Sequence, residues 1–134
     1  MQSQGKRKTI EIFKKQYIEQ MMRKLQHKDK RKDGESKEEM LKRRIDLLDD
    51  LGQEYNSLMK KEMNQSRIEA LQEVIREINL KKFGLQIREI DWRIHNEHNH
   101  MRKHELNKQR EKIRMLMLRE EFDGDNNVER FTSY

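Results

Sequence analysis

The chain has 134 residues, 32% of them hydrophobic and 42% charged, with no proline, no cysteine and a net charge of +6. An ordinary soluble domain is roughly 45–50% apolar and about 25% charged, so this composition argues against a compact globule built around a large core. It also excludes disulfides and thiolate metal sites. No apolar run approaches the ~20 residues that span a bilayer, and Met1 to Lys8 lacks the apolar segment of a secretion signal.

Charge is unevenly placed. Residues 1–32 carry 11 Lys/Arg against 3 Asp/Glu, a net of +8, while residues 33–134 net −2. The absence of proline, with abundant Glu, Lys, Arg, Gln, Leu, Ile and Met, points to helices. The β-branched and aromatic clusters of strands are missing. The expected fold is all-α, made of extended long helices with coiled-coil-like seams and no independent globular core.

The first unit, residues 1–32, is a basic arm with a short helix starting near Thr9, a plausible N-cap. Ile10, Phe13, Tyr17, Met21 and Leu25 share one helical face. Lys6, Arg7, Lys8, Lys14 and Lys15 are candidates to meet an acidic protein surface or, by counterion release, a polyanion. A mitochondrial presequence is opposed by Glu11 and Glu19. Residues 27–34 have no apolar side chain and are expected to form a solvated linker, or a frayed helix end stopped at Gly34.

The second unit, residues 33–83, opens on Ser36-Lys-Glu-Glu39, a capping box. Leu41, Ile45, Leu48, Gly52, Tyr55 and Met59 follow with a 4-3-4-3-4 spacing, a seam with a hole at Gly52. Ser66-Arg-Ile-Glu69 is a second capping-box match, consistent with a break near Asn64–Ser66 or with an unbroken helix. Ile68, Leu71, Ile75 and Ile78 continue the seam.

At Gly84 the register jumps to Ile87, Ile90 and Ile94, a stutter or bend. The third unit, residues 84–122, is a further helix expected to end near Phe122. A tail, residues 123–134, is expected to dock on a partner through its aromatics. Trp92 is off the isoleucine line and is a candidate anchor.

Four histidines, His95, His98, His100 and His104, crowd into ten residues. Glu97 and His100 have the Glu-x-x-His spacing of four-helix carboxylate metal sites. The second such motif and the two further glutamates are absent, and no His-Glu-x-x-His occurs. Neither a metal nor another cofactor is expected. No phosphate loop, thiol nucleophile or credible Ser/His/Asp set appears, so a non-enzymatic role is expected.

The run from Trp92 through Glu97, His98, Glu105, Leu106 and Asn107, with Val128, Glu129, Arg130 and Phe131 after it, resembles small helical cilia- and flagella-associated proteins. These line the inner wall of axonemal doublet microtubules. Met101 stands where that family has an aromatic, and the spacing from His98 to Glu105 is one residue longer. The resemblance implies tubulin and neighbouring axonemal proteins as partners, a cytoskeletal location in the cilium, and a lattice-stabilising role. Phe131 and Tyr134 would then insert between neighbours. The alternatives are a helical subunit of a ribonucleoprotein or mitochondrial complex whose basic arm meets RNA, and a homo-oligomeric coiled-coil scaffold. Neither a small-molecule substrate nor a membrane partner is expected.

Overall fold

In a computed structural model of the chain, residues 4–132 are described, with side chains described from residue 4 to residue 122. They form four helices: α1 (Gln4–Lys28), α2 (Lys37–Lys61), α3 (Gln65–Asn96) and α4 (His100–Thr132). The all-α expectation holds, and no strand occurs among the described residues. The helices are not isolated rods. Helix α3 is central and packs against α1, α2 and α4, whereas α1 touches α2 only slightly and α4 packs on α3 alone.

The expectation of no core is therefore corrected. Ile10, Tyr17 and Met21 of α1, Leu48, Leu51 and Tyr55 of α2, and Ala70, Leu71, Val74 and Ile78 of α3 form one buried cluster. Few apolar residues suffice because they converge from three helices on one short zone. Full burial of each large side chain contributes about 1.5–3 kcal/mol. Tyr55 is enclosed despite its hydroxyl, which donates to the Tyr17 carbonyl oxygen at 3.2 Å. The two rings meet edge-on with centroids 6.3 Å apart. Burial, with Glu54 and Tyr17 nearby, pushes the Tyr55 phenol up to about 12.

Several expected boundaries move. Helix α1 starts at Gln4, five residues before Thr9, whose hydroxyl donates to the Gly5 carbonyl oxygen instead of capping. The unit expected over 33–83 is cut at residues 62–64, and Gly84 lies inside α3 without ending it. The register jump there is a change of face within one helix. The unit expected over 84–122 is cut in turn at residues 97–99. Helix α4 runs on past Phe122 to Thr132, through the segment expected to be a tail.

Residues 27–34 are exposed, as expected, except the half-buried Asp29, and the linker is clasped at that point and at Glu35. Gly34 takes a positive φ of 75°, which lets the chain reverse. Glu35, only 7% exposed, then meets Arg43 through two bonds of 2.9 and 3.1 Å. Arg43 also binds Asp29, and Arg44 lies 3.2 Å from the same carboxylate. The Arg43 guanidinium holds both the Glu35 and Asp29 carboxyls below their usual range. Ser36 caps α2 as expected, its hydroxyl accepting the Glu39 amide at 3.1 Å.

Candidate docking site

Two turns of the same chemistry direct the last three helices. In Glu62-Met63-Asn64, the Glu62 amide donates to Met59, the Glu62 carboxylate accepts the amides of Met63 and Asn64, and the Asn64 side chain accepts the Arg67 amide. Glu97-His98-Asn99 repeats this. The Glu97 amide donates to Ile94, its carboxylate accepts the amides of His98 and Asn99, and the Asn99 side chain accepts the amides of Met101 and Arg102. The glutamate closes one helix and shields the turn's donors, and the asparagine opens the next.

The second turn lays α4 along α3. Lys103, Leu106, Arg110, Ile113, Met117 and Glu120 are half-buried, and every other described side chain of α4 is exposed. Those six recur at three and four residues, the pattern of a helix seated along one neighbour. Arg110 fixes the register through Asp91 at 2.9 Å.

The opposite face of α4 is left open, and it divides into two halves. Toward the turn it presents Met101, His104, Lys108 and Lys112, all exposed. Further on it presents Met115, Leu118 and Phe122, which are 58%, 57% and 62% exposed. A helix with one covered and one uncovered apolar stripe is built to be sandwiched.

The basic arm is engaged differently from the expectation. Arg7 binds Glu73 at 2.7 Å, Lys14 binds Glu77 at 3.1 Å, and Lys6 lies 3.7 Å from Glu69. Glu69, Glu73 and Glu77 are four residues apart along α3, so the acidic surface that suits this arm belongs to the same chain. Glu73 raises the Arg7 guanidinium further above its ordinary value. Exposed pairs of this kind contribute about 0–1 kcal/mol each. The apolar burial of α1 therefore holds the helix, and the ion pairs set its register. Lys8 and Lys15 point outward and are exposed. Three of the five basic candidates are thus engaged within the chain.

Other candidates separate as well. Trp92 is half-buried, with the Lys37 ammonium 5.3 Å from its ring centre, so part of it already packs on α2. Glu97 closes a turn and Leu106 faces α3, whereas His98, Glu105 and Asn107 are exposed. The side chains of Val128, Glu129, Arg130 and Phe131, and the whole of Tyr134, lie outside the described residues. The four histidines are split between elements, because α3 ends at Asn96, between His95 and His98, and α4 begins at His100. Among the described residues no group of three His, Asp or Glu could hold a metal ion, and no helix is long and apolar enough to cross a membrane.

Comparisons with protein-family models, curated proteins and solved structures find no match to this chain.

The feature missed from sequence was the open face of α4. The spacing of Met115, Leu118 and Phe122 was available. Leu116 and Met117 obscure it, because they make residues 115–118 one unbroken apolar run. The Glu-x-Asn repeat was also legible, 35 residues apart, and was overshadowed by the capping-box match at Ser66.

Proposed function

We propose that this chain is a non-enzymatic structural protein that packs along a filament, and that the filament is the inner wall of the axonemal doublet microtubule. The observation that carries the reading is α4, a 33-residue helix that, among the described residues, rests on α3 alone and leaves the opposite face uncovered as far as Phe122. A compact three-helix part holds it in place, and its open face is free to meet a surface. The identity of the filament comes from the resemblance at Glu97, His98, Glu105, Leu106, Asn107 and Val128 to Phe131.

In this reading the contact falls mainly on α4. The arm of α1 is largely engaged within the chain, so the cationic half of α4, with Lys108 and Lys112, is the better match to tubulin's acidic surface. Lys8 and Lys15 extend the positive surface. The role is to bridge neighbours and stiffen the lattice, without chemistry of its own.

The test is retention on isolated doublets after membrane and matrix are extracted. The tagged chain is expected to stay with the doublets, and Lys108→Glu with Lys112→Glu is expected to release most of it while helix content is unchanged. Recovery of the wild-type chain in the soluble matrix would overturn the proposal.

A further inference from the structure

We infer that the cleft left open beyond α1 is a docking groove for an acidic amphipathic helix of another protein, one whose apolar stripe is flanked by carboxylates two turns apart. The inference does not rest on the doublet-wall reading, which concerns α4.

The groove continues the seat of α1. Lys6 lies beside Glu69 and Lys14 beside Glu77, so α1 runs parallel to α3. Its apolar side chains are buried with those of both α2 and α3, and it ends at Lys28. The chain is then drawn aside, because Asp29 and Glu35 both bind Arg43 of α2. The cleft itself runs on. A cavity of about 520 Å³ adjoins Leu25, with Leu47, Leu48 and Leu85 on its walls. Arg44 and Arg88 line this cavity and also the next, which is walled by Met40 and Trp92. The two are therefore one trough. From Lys81 to Trp92 it follows about three turns of α3, roughly 16 Å. What fills the same cleft earlier along α3 is a helix, so its open length suits another helix laid in by an apolar face.

Charge decides which kind of helix. The acids that line the trough are already taken: Asp29 by Arg43 and Arg44, and Asp91 by Arg110 at 2.9 Å. Asp46 and Asp50 of α2 are exposed but do not line it. The cations on its α3 side are still available. Lys81 and Arg88 are exposed, and among the described residues neither forms an ion pair. Lys37 at the far end is exposed as well, with its ammonium over the Trp92 ring. A basic helix would meet like charge here, and that includes the outer face of α4, where Lys112, Arg114 and Arg119 are exposed. The fitting occupant is therefore an acidic helix from a different protein.

The spacing of the cations makes the expectation specific. Lys81 and Arg88 are seven residues apart, which is two helical turns and roughly 10 Å. The carboxylates that match them on an occupant are likewise seven residues apart, on one flank of its apolar stripe. Gly84 lies between the two cations in the wall of the trough, and a Cβ there would meet no atom within 4 Å. The absent side chain leaves the apolar floor open to a visitor.

Fluorescence anisotropy with the purified full chain and two labelled, hydrocarbon-stapled helices tests this. Both peptides carry the same leucine stripe. One is flanked by glutamates seven residues apart, and the other has lysines at those positions. The wild type is expected to bind the glutamate helix saturably and the lysine helix at least about tenfold more weakly. Gly84→Leu puts a side chain into the trough and is expected to weaken the glutamate helix about tenfold while helix content and the urea midpoint do not fall. Lys81→Glu with Arg88→Glu is expected to reverse the preference, a gain for the lysine helix that a misfolded chain would not show. A wild type that binds neither helix, or binds both equally, would overturn the inference. So would undiminished binding by Gly84→Leu, or capture of the wild type by phosphatidylserine vesicles that the glutamate helix fails to displace.

Discussion

Helix α1 and helix α4 both flank α3, yet they are attached to it in different ways. Helix α1 buries Ile10, Tyr17 and Met21 in a cluster shared with α2, and three of its cations meet a row of glutamates. Helix α4 has no fully buried side chain among its described residues, which are placed by one turn, one shallow seam and one ion pair. The two have similar apolar content. What separates them is the number of neighbours. A helix meeting two others can close water out of a shared interior, whereas a helix meeting one can only shade a stripe.

That contrast can be tested by its consequences. The largest effect is expected at Leu71, which is fully buried. Leu71→Ala should lower stability by about 2–5 kcal/mol, seen as an earlier urea midpoint for α1, α2 and α3 together. By contrast, Leu118→Ala should change stability by no more than about 0.5 kcal/mol.

Next in size are the two caps. Asn99→Ala and Asn64→Ala should each remove about 1 kcal/mol of helix-starting stability. Hydrogen exchange separates them: Asn99→Ala is expected to loosen α4 and leave the amides of the three-helix cluster protected, while Asn64→Ala also weakens the cluster. Equal loosening everywhere would show that the molecule is one cooperative unit.

A gain is expected at Gly84. It lies inside α3 with open space where a Cβ would go. Gly84→Ala should raise stability by about 0.5–1 kcal/mol through helix propensity, read as a higher melting temperature.

The smallest effects concern pH. The Asp29 and Glu35 carboxyls are held down by Arg43, so their contribution is complete above the ordinary carboxylate range. It is lost as acid protonates them in the folded state. Exchange at residues 29–36 should rise at acid pH before the cluster opens. The Tyr55 phenol is shifted the other way, so its contribution is present below about 10 and declines as pH rises toward about 12. Ultraviolet titration should show Tyr55 ionising last.

Much of the helical content was legible because helical signals are local. Ser36 announced α2, and the face of Ile10, Tyr17 and Met21 announced α1. What was not legible was the number of neighbours each stripe would have. The line of Leu41, Leu48 and Tyr55 is compatible with one partner helix or two, and a single sequence does not say which. The basic arm shows the same limit. Lys6, Arg7 and Lys14 read as a surface for something acidic, and the acidic row at Glu69, Glu73 and Glu77 was in view some 60 residues away. Only the packing of α1 beside α3 brings the two together. The open face of α4 was hidden for the opposite reason. Apolar residues on both sides of that helix looked like noise until one side was seen to be covered.

The Glu-x-Asn turns close on their own atoms, which bears on the order in which the molecule assembles. Each joins helices adjacent along the chain, so α2 can fold back on α3, and α3 on α4, through contacts of short sequence separation that form quickly. Helix α1 is the exception, because its glutamate row comes late. During synthesis from the N-terminus, Tyr17 and Met21 are made long before Leu71 and Ile78 exist to cover them, so this segment stays unsheltered until α3 has left the ribosome.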